Sequence, residues 1–330
     1  MRPITLFVGA WADLGLEKFL ETAAEIGYDG VELSFKPGVI DLDKAASDSG
    51  YRDSIQRLLG EKGLLCRAVN ASPIGKCVGD GHSPLVDVLA PPRLRGKPDD
   101  IRKWAIDSML TVPAVAKALG CPTVPGFLGS PIWRYFYPYP RLPDTLVDDG
   151  FARLAELWKP ILDEFSRQGV FLAFEAHPTE IAYDFYTTRR LFEALRRHPA
   201  LKLNFDPSHL EWQGMDPVLF LREFGREVAH VHVKDVQVRL DGRSSILASH
   251  LPFGDRRRGW DFRSPGHGQV NFEEIFRELN AFGYQGPLSV EWEDNGMDRL
   301  EGAKDALAFV KRLNFRPSAV EFDRPRNPSK

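Results

Sequence analysis

The chain has 330 residues, of which 43% are hydrophobic and 27% are charged, and its formal net charge is −3. These values are ordinary for a folded protein with a substantial core and exclude a largely disordered chain. The charge balance gives no surplus of the basic residues that nucleic-acid binding proteins use to attract phosphates, so we expect no nucleic-acid partner.

Short apolar runs alternate with amphipathic stretches along nearly the whole chain, which predicts eight strands that are each followed by a helix. The predicted strands are ITLFVG (4–9), GVELSF (30–35), LLCRAVN (64–70), PTVPGF (122–127), VFLAFE (170–175), LKLNFD (201–206), VAHVHV (228–233) and PLSVE (287–291). The helices are predicted at about 14–27, 51–62, 99–119, 147–168, 188–197, 216–224, 271–282 and 298–313. Pro125 weakens the fourth strand because proline has no N–H for a strand ladder.

This alternation predicts an α/β fold, a (β/α)8 TIM barrel that forms a single domain over residues 1–313 with long loops after its strands. A doubly wound open sheet is the alternative. No GxGxxG motif follows the first strand, which counts against the dinucleotide-binding form of that sheet. Residues 314–330 contain three prolines and many charges, and they predict an extended tail that lies on the surface or on a neighbouring subunit of a homo-oligomer.

The cysteines and the apolar runs predict a cytoplasmic protein. Cys66, Cys77 and Cys121 form no CxxC pair and have no metal-ligand spacing, which favours structural thiols in a reducing compartment. The first residues contain a short apolar run but no small-residue cleavage site, and no stretch approaches the roughly 20 apolar residues of a membrane span. We therefore expect no membrane association.

Four consecutive strands finish in side chains that can bind a metal ion. The fifth ends at Glu175, the sixth at Asp206 and the eighth at Glu291, and His232 lies near the end of the seventh. All strands of such a barrel point their carboxyl ends at one mouth, so these side chains would meet there. Burying these charges together at one mouth without an ion or another partner would cost a free energy on the order of several kcal/mol. Carboxylates with one imidazole suit Mn²⁺, Mg²⁺, Co²⁺ or Zn²⁺.

Simpler interpretations exist for each of these side chains taken alone. In the segment DPSH, Asp206 and His209 flank Pro207, and an Asx-type turn explains the motif as well as a binding site does. The side-chain period of two directs Glu175 into the barrel and places His230 one layer below His232. There His230 is either a hydrogen-bonded core histidine or a support for a metal ligand.

Several motifs together resemble the sugar isomerase/epimerase branch of the xylose isomerase-like barrel superfamily. They are GYDGVELS, FLAFE, DPSH, HVHVKD, GHGQVNFEEI and LSVEWED, and the resemblance spans about residues 3–313. It implies that the four strand-end side chains hold one divalent ion, with Mn²⁺ favoured. It also implies that Glu175 and Glu291 form an acid/base pair on opposite faces of a keto-sugar, while His209 contacts a substrate oxygen.

The chain departs from the ketose 3-epimerase pattern at two positions. Ile181 stands where an acidic residue is expected six positions after Glu175, and Val238 stands where an arginine is expected six positions after His232. Lys234 and His177 are present instead as substrate contacts. We therefore expect a substrate other than a plain free ketose.

Two further features predict the pocket wall. The segment GSPIWRYFYPYP (129–140) is too aromatic for an ordinary solvated loop, and it is either a lid in which Trp133 stacks on the sugar or a subunit contact. Glu32 points inward in VELS, either as a contact to a sugar hydroxyl or as part of a buried salt bridge.

The basic residues 256–258 of GDRRRGW are expected in a solvated loop.

The sequence therefore predicts a divalent-metal-dependent isomerase or epimerase that transfers a proton next to the carbonyl of a keto-sugar. The nearest alternative is a lyase that removes the C2 proton of a 3-keto-glycoside and expels the C1 substituent. An endonuclease acting at abasic sites shares the fold, but its three-zinc cluster needs histidines that AVNASP and VPGFLG lack. A non-catalytic sugar-binding protein is the remaining class.

Overall fold

The closed barrel predicted from the sequence is present in the computed structural model, which describes residues 1–137 and 139–320. The strands of these residues are β1 (Ile4–Phe7), β2 (Gly30–Ser34), β3 (Leu65–Asn70), β4 (Thr123–Gly126), β5 (Phe171–Glu175), β6 (Leu201–Phe205), β7 (Val228–Val233), β8 (Asp235–Val238), β9 (Trp260–Arg263) and β10 (Leu288–Val290). The parallel strands close in the order β1-β10-β7-β6-β5-β4-β3-β2, whereas β8 pairs with β9 outside the barrel. The prediction of a (β/α)8 barrel is confirmed.

Helices follow the barrel strands and cover the outside of the sheet. They are α1 (Leu16–Ile26), α2 (Leu42–Ser47), α3 (Ser49–Glu61), α4 (Ser72–Gly79), α5 (Pro84–Leu89), α6 (Pro98–Ala118), α7 (Asp144–Gln168), α8 (Phe185–Ala194), α9 (Pro207–Glu211), α10 (Pro217–Phe224), α11 (Phe272–Ala281) and α12 (Arg299–Leu313). The predicted helices correspond to α1, α3, α6, α7, α8, α10, α11 and α12. The short helices α2, α4, α5 and α9 lie in the connections after strands and were not predicted.

Strand β5 illustrates how the side-chain period of two builds the two sides of the barrel wall. Leu172 and Phe174 point outward and are fully buried, and the ring of Phe174 lies 5.3 Å from that of Phe192 in α8. Glu175 points to the opposite side, into the mouth. The neighbouring strand β4, which contains Pro125, has four paired positions with β5 but one with β3.

The connection between β7 and α11 contains an antiparallel hairpin. Its strands β8 and β9 pair from Asp235 opposite Arg263 to Val238 opposite Trp260. The sequence predicted long loops after the strands, but it did not predict a hairpin within this one. Because β8 begins two residues after β7 ends, the hairpin is attached directly beside the mouth of the barrel.

The expectation of a solvated basic loop at residues 256–258 is wrong for Arg258. This residue is buried, and its guanidinium lies 4.2 Å from the ring centroid of Phe253 and 4.9 Å from that of Trp260. Its Nε donates to the backbone oxygen of Trp260 at 3.2 Å. Phe253 and Trp260, which lie on either side of Arg258 in the sequence, pack against its guanidinium and bury it.

The residue that follows α12 is held against the beginning of the chain. Asn314 is buried, and its Nδ2 donates to the backbone oxygen of Arg2 at 2.8 Å. Residues 314–320 form neither helix nor strand, and the rest of the predicted tail, residues 321–330, lies outside the described residues. Within the described ranges, every helix is too short or too polar to cross a lipid bilayer.

Candidate metal centre and active site

Side chains from four neighbouring strands converge at the carboxyl end of the barrel. Glu175 is the last residue of β5, Asp206 follows β6, His232 is the penultimate residue of β7 and Glu291 follows β10. One potential ligand atom of each lies within 4.8 Å of the others. His232 Nδ1 lies 2.8 Å from Glu291 Oε2 and 3.3 Å from Glu175 Oε2. The residues predicted as metal ligands therefore form one compact group.

Asp206 makes the Asx-type turn predicted for the DPSH motif, but it uses only one carboxylate oxygen for that turn. Its Oδ1 accepts hydrogen bonds from the N–H and the hydroxyl of Ser208, at 2.8 and 2.7 Å, and so begins α9 at Pro207. Its Oδ2 is buried and accepts no hydrogen bond from the described residues. One oxygen of Asp206 therefore makes the turn, and the other remains directed into the cluster.

The donor set fits a divalent cation. Glu291 Oε2 is buried and, like Asp206 Oδ2, accepts no hydrogen bond within the described part of the chain. His232 Nε2 lies 3.0 Å from Glu32 Oε2, and a carboxylate only accepts, so Nε2 carries a proton and Nδ1 is the nitrogen that faces the cluster and would bind an ion. Carboxylates this close to one another repel unless a proton or a cation lies between them.

Burial makes the negative charge of this cluster costly. It raises the pKa of Asp206 to about 8, and although Lys234 opposes the rise, Glu175 and Glu291 add to it. Burial also raises the pKa of Glu175. Burial opposes ionisation of Glu291 as well, but Lys234 and His232 lower its pKa to about 2. A bound divalent cation would favour the ionised form of all three carboxylates.

A buried network around Glu32 lies directly beneath the four predicted metal ligands. Its carboxylate accepts hydrogen bonds from His232, from His230 at 2.8 Å, from Ser289 at 2.6 Å and from Asn70 at 3.3 Å. The side chain of Glu32 is fully buried. This position favours the buried salt-bridge interpretation of Glu32 over the contact to a sugar hydroxyl. His230 lies in the same layer, hydrogen-bonded to Glu32.

Two histidines form the side of the mouth next to Glu175. The rings of His177 and His209 lie 4.1 Å apart, and His209 Nε2 is 3.4 Å from Glu175 Oε1. Burial lowers the pKa of His177 to about 3, with Lys234 adding to the effect. Burial also lowers the pKa of His209 far below its usual value. Both rings are therefore neutral at physiological pH and can donate a hydrogen bond without adding charge.

Lys234 is a buried cation on the other side of the cluster. Its Nζ lies 3.4 Å from Glu291 Oε1, 3.0 Å from Glu293 Oε2 and 4.2 Å from the ring centroid of Phe262 in β9. Burial alone would lower the pKa of Lys234, but Glu291 and Glu293 raise it, so the ammonium stays charged. The predicted substrate-binding residue Lys234 thus directly contacts a predicted metal ligand.

Trp133 lies in a short 3-10 helix, Trp133–Tyr135, within the aromatic loop 129–140. Its ring stacks on Phe136 at 5.1 Å and meets Tyr183 edge-on at 5.2 Å. Tyr183 belongs to the connection after β5 that also carries His177. The structure therefore joins the aromatic loop to that connection, although Pro138 of this loop lies outside the described residues.

A second buried charge cluster, which we call the loop lock, consists of Lys76, Asp80 and Glu180 and was not predicted. Lys76 Nζ lies 2.7 Å from Glu180 Oε1 and 3.3 Å from Asp80 Oδ2. Glu180 Oε2 accepts the backbone N–H groups of Leu128 and Gly129 at 2.9 and 2.6 Å. The loop lock thus joins α4 to the connections after β4 and β5.

Comparison with known proteins agrees with this architecture. A family model described as Xylose isomerase-like TIM barrel matches residues 20–313. The protein YfiH of Bacillus subtilis (strain 168), which is uncharacterized, is 26% identical over 313 residues, covering 91% of this chain and 95% of that protein. An inosose dehydratase of Clostridium beijerinckii is 33% identical over 193 residues, which cover 57% of this chain and 61% of that enzyme.

Solved structures share the same fold. The apo structure of YcjR, a 3-keto-D-glucoside 4-epimerase from E. coli, superimposes with a TM-score of 0.67 at 15% sequence identity. The match covers 94% of this chain and 100% of that chain. At this identity the likeness establishes the barrel architecture and nothing about the substrate.

Proposed function

Since the chain belongs to the xylose isomerase-like TIM barrel family, we propose that it is a metal-dependent isomerase or epimerase of a keto-sugar or sugar derivative. The observation that carries the proposal is the convergence of Glu175, Asp206, His232 and Glu291, with two buried carboxylate oxygens that accept no hydrogen bond from the described residues. We propose these four side chains as ligands of one divalent ion, with Mn²⁺ favoured over Mg²⁺, Co²⁺ or Zn²⁺.

The proposed reaction moves a proton on the carbon next to the substrate carbonyl. A bound divalent ion would polarise that carbonyl and stabilise the negative charge that develops as the proton leaves. Glu175 and Glu291 come from strands on either side of β6 and β7, so their carboxylates can approach a substrate from opposite faces. One removes the proton and the other returns it to the opposite face.

The remaining residues around the mouth are proposed as substrate contacts. His209 and His177 present neutral rings beside Glu175, and they would donate hydrogen bonds to sugar oxygens. The Lys234 ammonium lies beside Glu291 and would bind an oxygen at the other side of the substrate. Trp133 would stack on the sugar from the aromatic loop, as apolar sugar faces pack on aromatic rings.

A lyase is the second candidate, and the match to inosose dehydratases favours it. The first step would be the same, removal of the proton next to the carbonyl. The electron pair would then form a carbon–carbon double bond as the neighbouring C–O bond breaks, and the departing oxygen would take a proton from Lys234. On a 3-keto-glycoside this reaction removes the C2 proton and releases the C1 substituent.

The test is deuterium exchange in D₂O with purified protein, Mn²⁺ and a panel of keto-sugars, inososes and 3-keto-glycosides. We expect deuterium at the carbon next to the carbonyl, in product or in returned substrate, and loss of exchange after chelation of the metal. Glu175→Gln and Glu291→Gln should slow exchange because an amide cannot accept the proton, at least one of them by about 10²-fold. Glu278→Gln, which alters a carboxylate paired with Arg222 on the outer helices, should exchange like the wild type.

Product identity distinguishes the two candidates. A product with the same elemental composition as the substrate indicates an isomerase or epimerase, whereas loss of water or of an aglycone indicates a lyase. Turnover without deuterium in the product and without a primary isotope effect from substrate deuterated at that carbon would refute proton transfer.

A further inference from the structure

Trp212 makes a hydrogen bond that determines which nitrogen of His209 carries a proton. Its indole Nε1 donates to His209 Nδ1 at 3.4 Å. An indole N–H is only a donor, so Nδ1 must accept. In a neutral imidazole the other nitrogen then holds the hydrogen, which places it on Nε2. The tautomer follows from the identity of the donor at position 212.

The Nε2–H of His209 is directed into the mouth. Nε2 lies 3.4 Å from Glu175 Oε1 and 3.5 Å from Asp206 Oδ2, and it is buried without a hydrogen-bond partner among the described residues. A buried donor without an acceptor is costly. An oxygen of a bound sugar, close to two of the proposed metal ligands, would satisfy it.

The inserted hairpin holds Trp212 in place. The indole of Trp212 stacks on Trp260 of β9, with centroids 4.4 Å apart and planes inclined by 5°. Trp260 is fixed in turn, because its Nε1 donates to the backbone oxygen of Ile246 at 2.9 Å and Arg258 lies over its ring. A chain of packed side chains therefore connects the hairpin to His209.

We propose that Trp212 is a positioning residue that holds His209 as an Nε2–H donor to a substrate oxygen and prevents His209 from binding a metal ion. The substrate half of this inference rests on the proposed function. The part of the inference that concerns metal binding does not depend on the proposed function. Glu175, His177 and His209 also offer ligand atoms within 4.8 Å of one another, which raises the question of a second ion there. A protonated Nε2 has no lone pair for a second ion, so this group of three would not bind one through His209 Nε2.

The tautomer can be measured without any activity. In a long-range ¹H–¹⁵N correlation spectrum of protein labelled with ¹⁵N-histidine, His209 should be neutral and protonated at Nε2; the His209→Gln variant identifies its signals among the eight histidines. Trp212→Phe keeps an aromatic ring against Trp260 but removes the N–H, and it should shift His209 toward protonation at Nδ1. Trp260→Phe keeps the donor and should leave the tautomer unchanged.

Metal binding and kinetics complete the test. Wild-type protein should bind one equivalent of Mn²⁺, and a second equivalent at His209 would overturn the proposal. With an active substrate, Trp212→Phe should lower kcat by about tenfold and change KM little, less than the roughly 10²-fold cost of removing an oxyanion donor outright. An Nδ1-protonated His209 in the wild type, or an unchanged tautomer in Trp212→Phe, would also overturn it. If no sugar is turned over, the proposed function fails while the spectra still decide the tautomer.

Discussion

Replacing Glu32 with glutamine should weaken metal binding although Glu32 is not among the four proposed ligands. Its carboxylate accepts the Nε2–H of His232 and so keeps the Nδ1 lone pair of that histidine directed toward the ion. Glutamine retains the shape and one acceptor oxygen but removes the negative charge. Loss of such a partner behind a metal-binding histidine typically costs about 10–100-fold in metal affinity or activity.

The same substitution should also lower the free energy of unfolding. The Glu32 carboxylate accepts from His230, His232, Ser289 and Asn70, and glutamine would place an NH₂ group against at least one of these donors. Hydrogen bonds to charged groups contribute about 1.5–3 kcal/mol, so we expect destabilisation of this order. Chemical denaturation of the metal-free protein measures it without interference from metal binding.

A matched control separates the two effects. Glu180→Gln changes another buried glutamate, 2% exposed compared with 0% for Glu32, but the partners of Glu180 in the loop lock do not include any of the four ligands. Both variants should be less stable, and Glu32→Gln alone should lose Mn²⁺ affinity in calorimetric titration. Equal Mn²⁺ affinities for Glu32→Gln and wild type would refute the claim that Glu32 orients His232.

Three other outcomes test the centre and its surroundings. Asp206→Ala should lower metal content and activity together, as measured by elemental analysis and exchange rate; full occupancy would remove Asp206 from the ligands. Without metal the pKa of Asp206 is about 8, so metal binding at pH 7 should release a proton from this carboxyl group, and metal affinity should increase as the pH rises toward 8. Calorimetric titrations in buffers of different ionisation enthalpy measure the number of protons released. Trp133→Ala should raise KM by about twofold to thirteenfold, from a stacking contribution of about 0.5–1.5 kcal/mol, with metal content unchanged; loss of soluble protein would favour a structural role.

The convergence of the four strand-end side chains could be predicted because it depends on two regularities, the period of two along a strand and the common direction of parallel strands. These regularities determine which face of the barrel wall a side chain occupies, but they do not determine how far below the mouth of the barrel it lies. The pairing of β2 with β3 shifts register between Val31 and Glu32, and such a shift cannot be read from alternation. Glu32 was therefore placed correctly inside the barrel, while its position beneath the ligands could not be derived.

Contacts between distant loops were not predictable for a different reason. Trp212 meets Trp260 only because β8 and β9 pair. The Asp241-Gly242 dipeptide after β8 is typical of a two-residue turn, but β9 begins only at Trp260, so this local signal does not identify the strand that pairs with β8. Lys76 and Glu180 likewise come from connections after different strands. Local patterns describe a segment and its neighbours, whereas these contacts depend on where whole loops pack.

The loop lock has a consequence for anyone who seeks to change the specificity of this barrel by exchanging loops. Its contacts join three separate connections. Glu180 pairs with the Lys76 ammonium and accepts the backbone N–H groups of Leu128 and Gly129. A foreign loop that lacks the glutamate would leave the Lys76 ammonium with Asp80 as its remaining counter-charge. It would also leave the N–H groups of Leu128 and Gly129 without their acceptor, and each buried donor left unsatisfied costs about 1–3 kcal/mol. The segments after β3, β4 and β5 therefore form one transplantable unit, and a graft of any one of them alone should yield an unstable chimera.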